Sequence, residues 1–194
     1  MATLRSNPAE LKNPGEKYLA ATRLGACTSA ASLERLIEAG GNSSDNLYER
    51  ITRRKALEAL GRRKSPQALP VLIQALHSED EPAVVNAADA IARIGAPLEQ
   101  SGITALIQAL AGPDNQRRAV IQAFTRLNLS DQAGAIAQCR KNSNPLVAGA
   151  AHAHAVKVCG DQGGLDPLMQ QLRDENPTLF PYNDALPIDR KSVV

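Results

Sequence analysis

The sequence has few aromatic residues. Phe, Tyr and Trp together make up 3% of the chain, and Trp is absent. This composition excludes a core built on large rings, each of which buries about 150–250 Å². Alanine and leucine take their place, which is typical of closely packed helices, because small side chains let backbones approach. The scarcity of rings also leaves little for stacking on nucleic-acid bases.

Net charge, cysteine pairs and long apolar runs are also lacking. The formal net charge of +2 is too small for the broad basic field of a duplex-DNA binder, so we expect no nucleic-acid partner. Cys27, Cys139 and Cys159 have no Cys-x-x-Cys spacing, which predicts neither a disulfide framework nor a zinc site. No apolar run approaches the ~20 residues of a membrane span. We therefore expect a soluble intracellular protein.

The two histidines in Ala150–Val156 do not indicate a metal centre. His152 and His154 are two residues apart, which places them on different faces of a helix. We expect no metal site, and we expect each of these histidines to be a partly buried surface residue.

The chain contains an internal repeat. The pentapeptide Leu72–Leu76 returns letter for letter at Leu106–Leu110, 34 residues later. Degenerate copies are anchored at Ile37, Ile136 and Met169. A period near 34 residues is typical of α-solenoids, in which one helical unit is stacked several times.

Each repeat is predicted to contain a helix A, an acidic or proline-containing turn, and a helix B rich in small residues that a glycine ends. Gly61, for example, is predicted to end the B helix that starts near Leu47. The solenoid is predicted over residues 15–175, between an irregular lead (1–14) and a proline-rich tail (176–194). Stacked helix pairs share one core, and we expect the B helices to line the concave side.

Two stretches resemble a known family of HEAT-repeat proteins. Tyr18–Gly25 is similar to the first helix of the E-type subunit of the E/F phycobilin lyases. Tyr48–Gly61, with a leading Tyr, an Arg-Arg pair and an Ala-rich helix ending in Leu-Gly, is similar to the next helix. The chain length is closer to that of the smaller F-type or chaperone-like members. The resemblance implies an all-α, right-handed α-solenoid of about five HEAT-like helix pairs.

The resemblance also implies a function. Such proteins hold an open-chain tetrapyrrole, a bilin, in a concave groove and promote its thioether attachment to a cysteine of a phycobiliprotein subunit. They act as a pair of HEAT-repeat subunits in the cyanobacterial cytoplasm or the plastid stroma. The bilin is the substrate, and the nucleophilic thiol belongs to the acceptor. The resemblance therefore implies no separate cofactor and no catalytic thiol in this chain.

Polar residues of the B helices are the candidates for binding a bilin. Arginine forks bind both oxygens of a carboxylate and suit the propionates, and tyrosine rings stack on pyrroles. An aspartate near the pyrrole nitrogens is suited to proton transfer. The candidate catalytic residue is Asp89, and the candidate ligand-binding residues are Tyr18, Tyr48, Arg53, Arg54, Asn86, Arg117 and Arg118.

Each candidate has a purely structural alternative. The arginines can pair with acidic turns, such as those at Asp45 or Asp80, or belong to a solvated face. Asp89 can form a salt bridge to Arg54 or Arg118 across stacked helices, and the tyrosines can pack between helices. The alternative function is that of a non-enzymatic scaffold that binds a protein partner on its concave face.

Overall fold

The computed structural model describes residues 15–95, 97–130 and 133–173, and it is helical without strands over these residues. The α-helices are α1 (Glu16–Leu24), α2 (Ala30–Gly40), α3 (Leu47–Arg63), α4 (Leu69–Ala75), α5 (Glu81–Ile94), α6 (Gln100–Ala109), α7 (Asp114–Arg126), α8 (Ala133–Ala137), α9 (Pro145–Cys159) and α10 (Leu165–Arg173). The prediction of an all-α fold is confirmed. The predicted lead (1–14) and tail (176–194) lie outside the described residues.

The helices form two layers. The odd-numbered helices, from α1 to α9, pack side by side in chain order, and each even-numbered helix packs against an odd-numbered one. The anchors of the sequence repeat all fall in even-numbered helices, one in each: Ile37, Ile73, Ile107, Ile136 and Met169. The predicted phase of the solenoid is therefore confirmed, with the even helices as the A helices and the odd helices as the B helices.

The core lies between the two layers. Leu72 and Leu106, equivalent members of the repeated pentapeptide, are both 0% exposed. Burying a leucine side chain contributes about 1.5–3 kcal/mol relative to leaving it in water. The repeated pentapeptide therefore stabilises the contact between the layers.

Small residues allow the odd-numbered helices to approach one another closely. A Cβ atom added to Gly61 in α3 would lie 2.6 Å from the Cα atom of Ala90 in α5. The prediction that Gly61 ends its helix is wrong, because α3 continues to Arg63 and the left-handed residue after it is Lys64, with φ 52°. Gly61 is thus explained by the close contact between α3 and α5 rather than by a turn.

We predict that Gly61→Ala lowers the free energy of unfolding by about 1–3 kcal/mol, because the added methyl group overpacks the contact with Ala90. The matched control is Gly134→Ala in α8, where an added Cβ meets no atom within 4 Å. This control should leave stability unchanged or raise it by up to about 1 kcal/mol. Urea titration followed by circular dichroism measures both, and equal stabilities for the two variants would contradict the proposed packing.

Candidate functional site

A buried carboxylate joins α3 to the turn before α5. The side chain of Asp80 is 4% exposed. It accepts hydrogen bonds from Arg50 Nη2 at 3.2 Å, from Arg53 Nη2 at 3.1 Å and from Arg54 Nε at 2.9 Å, and Arg54 Nη2 donates to it as well. These four residues are called the Asp80 cluster below.

The charge of Asp80 is stabilised by its arginines. Burial by itself raises the pKa of the carboxyl group, but hydrogen bonds from Arg54, Arg50 and Arg53 outweigh burial and lower the pKa to about 2. The same hydrogen bond raises the pKa of Arg54. Asp80 is therefore ionised throughout the neutral range, and the cluster is an ionic contact between two neighbouring repeats.

The Asp80 cluster holds two of the predicted ligand-binding residues. Arg53 and Arg54 lie in the second turn of α3, since the helix begins at Leu47. Pairing with the acidic turn at Asp80 was the stated structural alternative to ligand binding for both arginines, and both of them do pair with Asp80. A polar cavity of about 560 Å³ adjoins the cluster and is lined by Arg50 and Arg53 among others.

Arg117 is held by its own repeat. Its Nε and Nη2 atoms donate to the carbonyl oxygens of Leu110 and Gly112, each at 2.9 Å, and its Nη1 atom donates to Asp114 at 3.0 Å. These bonds close the turn between α6 and α7. Three of the nitrogen atoms of Arg117 therefore have partners within the chain.

Asn86 and Asp89 contact neighbouring odd helices. Asn86 Nδ2 donates to the backbone oxygen of Arg54 at 2.9 Å. The Asp89 carboxylate accepts from Arg93 on the same helix and from Arg126 on α7, each at 2.5 Å. The alternative that paired Asp89 with Arg54 or Arg118 is thus wrong about the partner, although a salt bridge across stacked helices is present.

The two candidate tyrosines are both exposed. Tyr18 is 37% exposed and Tyr48 is 46% exposed. The ammonium group of Lys55 in α3 lies 5.4 Å from the centroid of the Tyr18 ring in α1, within the range of a cation–π contact. The structure leaves part of each ring accessible to a ligand or partner.

Arg118 differs from its neighbour Arg117 because it has no ionic partner in the described part of the chain. Its Nε atom is buried and has no hydrogen-bond partner. The residue lies beside a groove of about 270 Å³ between α7 and α9, called the Arg118 groove below. Its lining residues are Arg118, Gln122, Pro145, Leu146, Gly149, Ala150, Ala153 and Gln171.

The Arg118 groove combines an apolar wall with polar groups. Leu146, Ala150 and Ala153 supply the wall. A Cβ atom at Gly149 would lie 2.5 Å from Gln171 Oε1, so the glycine leaves the space that Gln171 occupies. Gln171 Nε2 donates to the backbone oxygen of Pro145 at 3.0 Å and is thereby fixed. An unpaired guanidinium group beside an apolar wall suits an apolar ligand that carries a carboxylate.

His154 was predicted to be partly buried, but it is 1% exposed. Its Nδ1 atom lies 3.2 Å from the hydroxyl oxygen of Thr125, and that hydroxyl group donates to the backbone oxygen of Ile121. Burial, and then the charge of Arg140, lower the pKa of His154. His154 is therefore a neutral core residue that joins α9 to α7. The described residues contain no group of three or more His, Cys, Asp or Glu side chains that could hold a metal ion.

We predict that Asp80→Asn lowers the free energy of unfolding at about pH 7 by about 2 kcal/mol, because the arginines lose their counter-ion. The folded-state pKa of Asp80 is lowered to about 2. The stabilisation by ionised Asp80 is therefore fully present above the ordinary pKa of aspartate. It is lost as the pH falls through the pKa of Asp80 in the folded state.

Urea unfolding of the wild type and of Asp80→Asn should give stabilities that converge between about pH 4 and pH 2. The control is Asp45→Asn, which removes an exposed carboxylate from the preceding turn. An equal loss in both variants, or a loss that does not depend on pH, would contradict the role of the Asp80 cluster.

Comparisons with known proteins agree with the architecture. A family model of HEAT repeats matches residues 47–125. The uncharacterized phycocyanin operon protein Y of Pseudanabaena tenuis (strain PCC 7409) is 27% identical over 177 residues, which cover 91% of this chain and 42% of that protein. The chain thus spans less than half the length of that relative. No helix in the described part of the chain is long and apolar enough to cross a membrane.

A solved structure has the same fold. It is the complex of CpcE and CpcF of phycocyanin lyase from Nostoc sp. PCC7120, which matches with a TM-score of 0.73 and 22% identity. The match covers 88% of this chain and 69% of that chain. Together with the relative and the HEAT-repeat match, it confirms the predicted resemblance at the level of the fold: residues 47–125 match HEAT repeats, and the chain has the fold found in a phycocyanin lyase complex.

Proposed function

We propose that the chain is a phycobilin lyase subunit, or a chaperone that assists one. In this role it holds an open-chain tetrapyrrole and promotes the attachment of that bilin, through a thioether, to a cysteine of a phycobiliprotein subunit. The observation that carries the proposal is the unpaired guanidinium group of Arg118 beside the apolar wall of its groove. The likeness of the fold to a phycocyanin lyase complex supports it.

The Arg118 groove suits one end of a bilin. A propionate group accepts charge-assisted hydrogen bonds from Arg118, and a pyrrole ring packs on Leu146, Ala150 and Ala153. The groove volume of about 270 Å³ is below the range of about 300–1,000 Å³ that encloses a whole drug-sized ligand. The remaining rings therefore extend out of the groove, over the exposed face of the odd-numbered helices.

Asp89 is the candidate for contact with the pyrrole nitrogens. Because its carboxylate accepts hydrogen bonds from Arg93 and Arg126, it is suited to accept a further bond from a pyrrole N–H group and to orient the bilin. The addition of a thiol across a carbon–carbon double bond of the bilin forms the thioether without loss of any atom. This reaction needs no oxidant and no cofactor, and the acceptor supplies the thiol.

A second HEAT-repeat subunit is the proposed partner. The matched structure is a complex of two subunits of phycocyanin lyase, and the matched operon protein is more than twice as long as the region that this chain covers. Both features are expected if one chain of this size supplies only part of the bilin-binding surface. With pigment attachment as the function, the cyanobacterial cytoplasm or the plastid stroma is the proposed location.

We predict that co-expression of the chain with bilin synthesis, a phycobiliprotein subunit and a second HEAT-repeat subunit increases the amount of coloured acceptor. Covalent attachment is measured as the mass of one bilin added to the acceptor and as visible absorbance that survives denaturation. If neither attachment nor the yield of soluble acceptor rises when the chain is present, the proposal fails and the scaffold function is favoured.

We predict that Arg118→Gln weakens binding of biliverdin, an open-chain tetrapyrrole with two propionates, by about tenfold or more, as expected for a lost charge-assisted bond. Ala153→Leu should also weaken binding, because the larger side chain fills the groove. The control is Arg23→Gln, which removes an exposed cation of α1. Titration followed by visible absorbance measures each affinity, and equal affinities for Arg118→Gln and Arg23→Gln would contradict this site.

A further inference from the structure

The odd-numbered helices carry a basic residue at equivalent positions near their C-terminal ends. The core residues Leu60, Ile91, Phe124 and Ala155 are at most 1% exposed, and each is followed two residues later by a cation. These cations are Arg62, Arg93, Arg126 and Lys157, called the basic row below. The three arginine side chains are 42–49% exposed, and Lys157 is exposed too.

Helix dipoles do not account for the alignment of this row. A cation anywhere in the last turn of a helix is favourable. In α3 the last turn also holds Arg63, which points to the start of α2 and donates to Ser32 Oγ and to the backbone oxygen of Ser29. A cation at the position of Arg62 or at that of Arg63 is equally favourable for the helix dipole. In α3, α5, α7 and α9 alike, a cation occupies the solvent-facing position equivalent to Arg62.

The charge of the basic row is only partly neutralised. Arg62 pairs with Glu58 at 3.5 Å, while Arg93 and Arg126 share the carboxylate of Asp89. The positions equivalent to these acids are Gln122 in α7 and Ala153 in α9, four residues before Arg126 and Lys157. Exposed ion pairs contribute only about 0.2–1 kcal/mol each, so fold stability is a weak reason for the row.

We propose that the basic row is a docking surface for an acidic α-helix of a partner protein. Packed helices lie about 8–10 Å apart, and seven residues of an α-helix rise about 10.5 Å over two turns. A helix with a carboxylate at every seventh residue, laid across the odd-numbered helices, therefore meets one cation of the row on each of them. This inference concerns a protein partner and does not rest on the proposed pigment chemistry.

A protein helix fits the row better than a nucleic acid does. Glu58 and Asp89 lie within the same surface and repel a continuous chain of phosphates. Isolated carboxylates on one face of a helix each approach one cation of the row, while Arg62, Arg93 and Arg126 keep their ion pairs with Glu58 and Asp89. Gln122 lies between Arg118 and Arg126 at four-residue steps along α7, so the docked helix lies beside the Arg118 groove.

The test uses the full chain and a fluorescently labelled peptide of four Ala- and Gln-based heptads with Glu at every seventh residue. A peptide with the same number of Glu residues at five-residue intervals has its carboxylates spread around the helix and serves as the comparison. Anisotropy titration at low salt should show tighter binding of the first peptide. Lys157→Gln and Arg126→Gln should each weaken its binding by about two- to fivefold.

The matched control is Lys141→Gln, an exposed lysine that follows α8 and lies outside the row. This variant should bind the peptide like the wild type, and Lys157→Gln should bind biliverdin like the wild type. The inference is overturned if both peptides bind equally, if Lys157→Gln matches Lys141→Gln, or if a short DNA duplex binds more tightly than the peptide. Circular dichroism checks that each variant is folded.

Discussion

The close approach of neighbouring odd-numbered helices constrains the rest of the structure. Gly61 meets Ala90, and Gly25 meets Ala59 in the same way, at distances that leave no room for a larger side chain. These helices touch through small residues, and the larger side chains of Leu57, Leu60 and Ile91 are buried in the core. The Arg118 groove lies between two of these helices, and the cations of the basic row are exposed near their C-terminal ends. The proposed ligand and docking surfaces thus depend on how the helices pack.

Two equivalent Arg-Arg pairs have different roles because their surroundings differ. In α3, the carboxylate of Asp80 binds both Arg53 and Arg54 and ties two repeats together. In α7, turn carbonyls and Asp114 hold Arg117, and no acid among the described residues pairs with Arg118. The repeat sets the position of each arginine in its helix, whereas the neighbouring turn determines whether the arginine has hydrogen-bond partners within the chain. The proposed ligand site is at Arg118, which belongs to the second Arg-Arg pair and has no acidic partner among the described residues.

The sequence predicts the fold well because helix period and repeat period are both properties of short patterns. The five anchors identified the A helices correctly, and pairing of Arg53 and Arg54 with Asp80 was among the stated alternatives. The prediction that Gly61 caps its helix was wrong because the sequence alone does not distinguish two kinds of glycine. One kind ends a helix, and the other lies within a helix where a neighbouring helix packs closely. The basic row was missed because its alignment appears only when the buried positions of successive helices are matched.

A crystal structure of the chain with biliverdin bound is the most direct test of the proposed function. We expect one propionate within hydrogen-bond distance of the guanidinium group of Arg118, with a pyrrole ring against Ala150 and Ala153. A bilin bound elsewhere on the chain, with Arg118 still without a partner, would contradict the account.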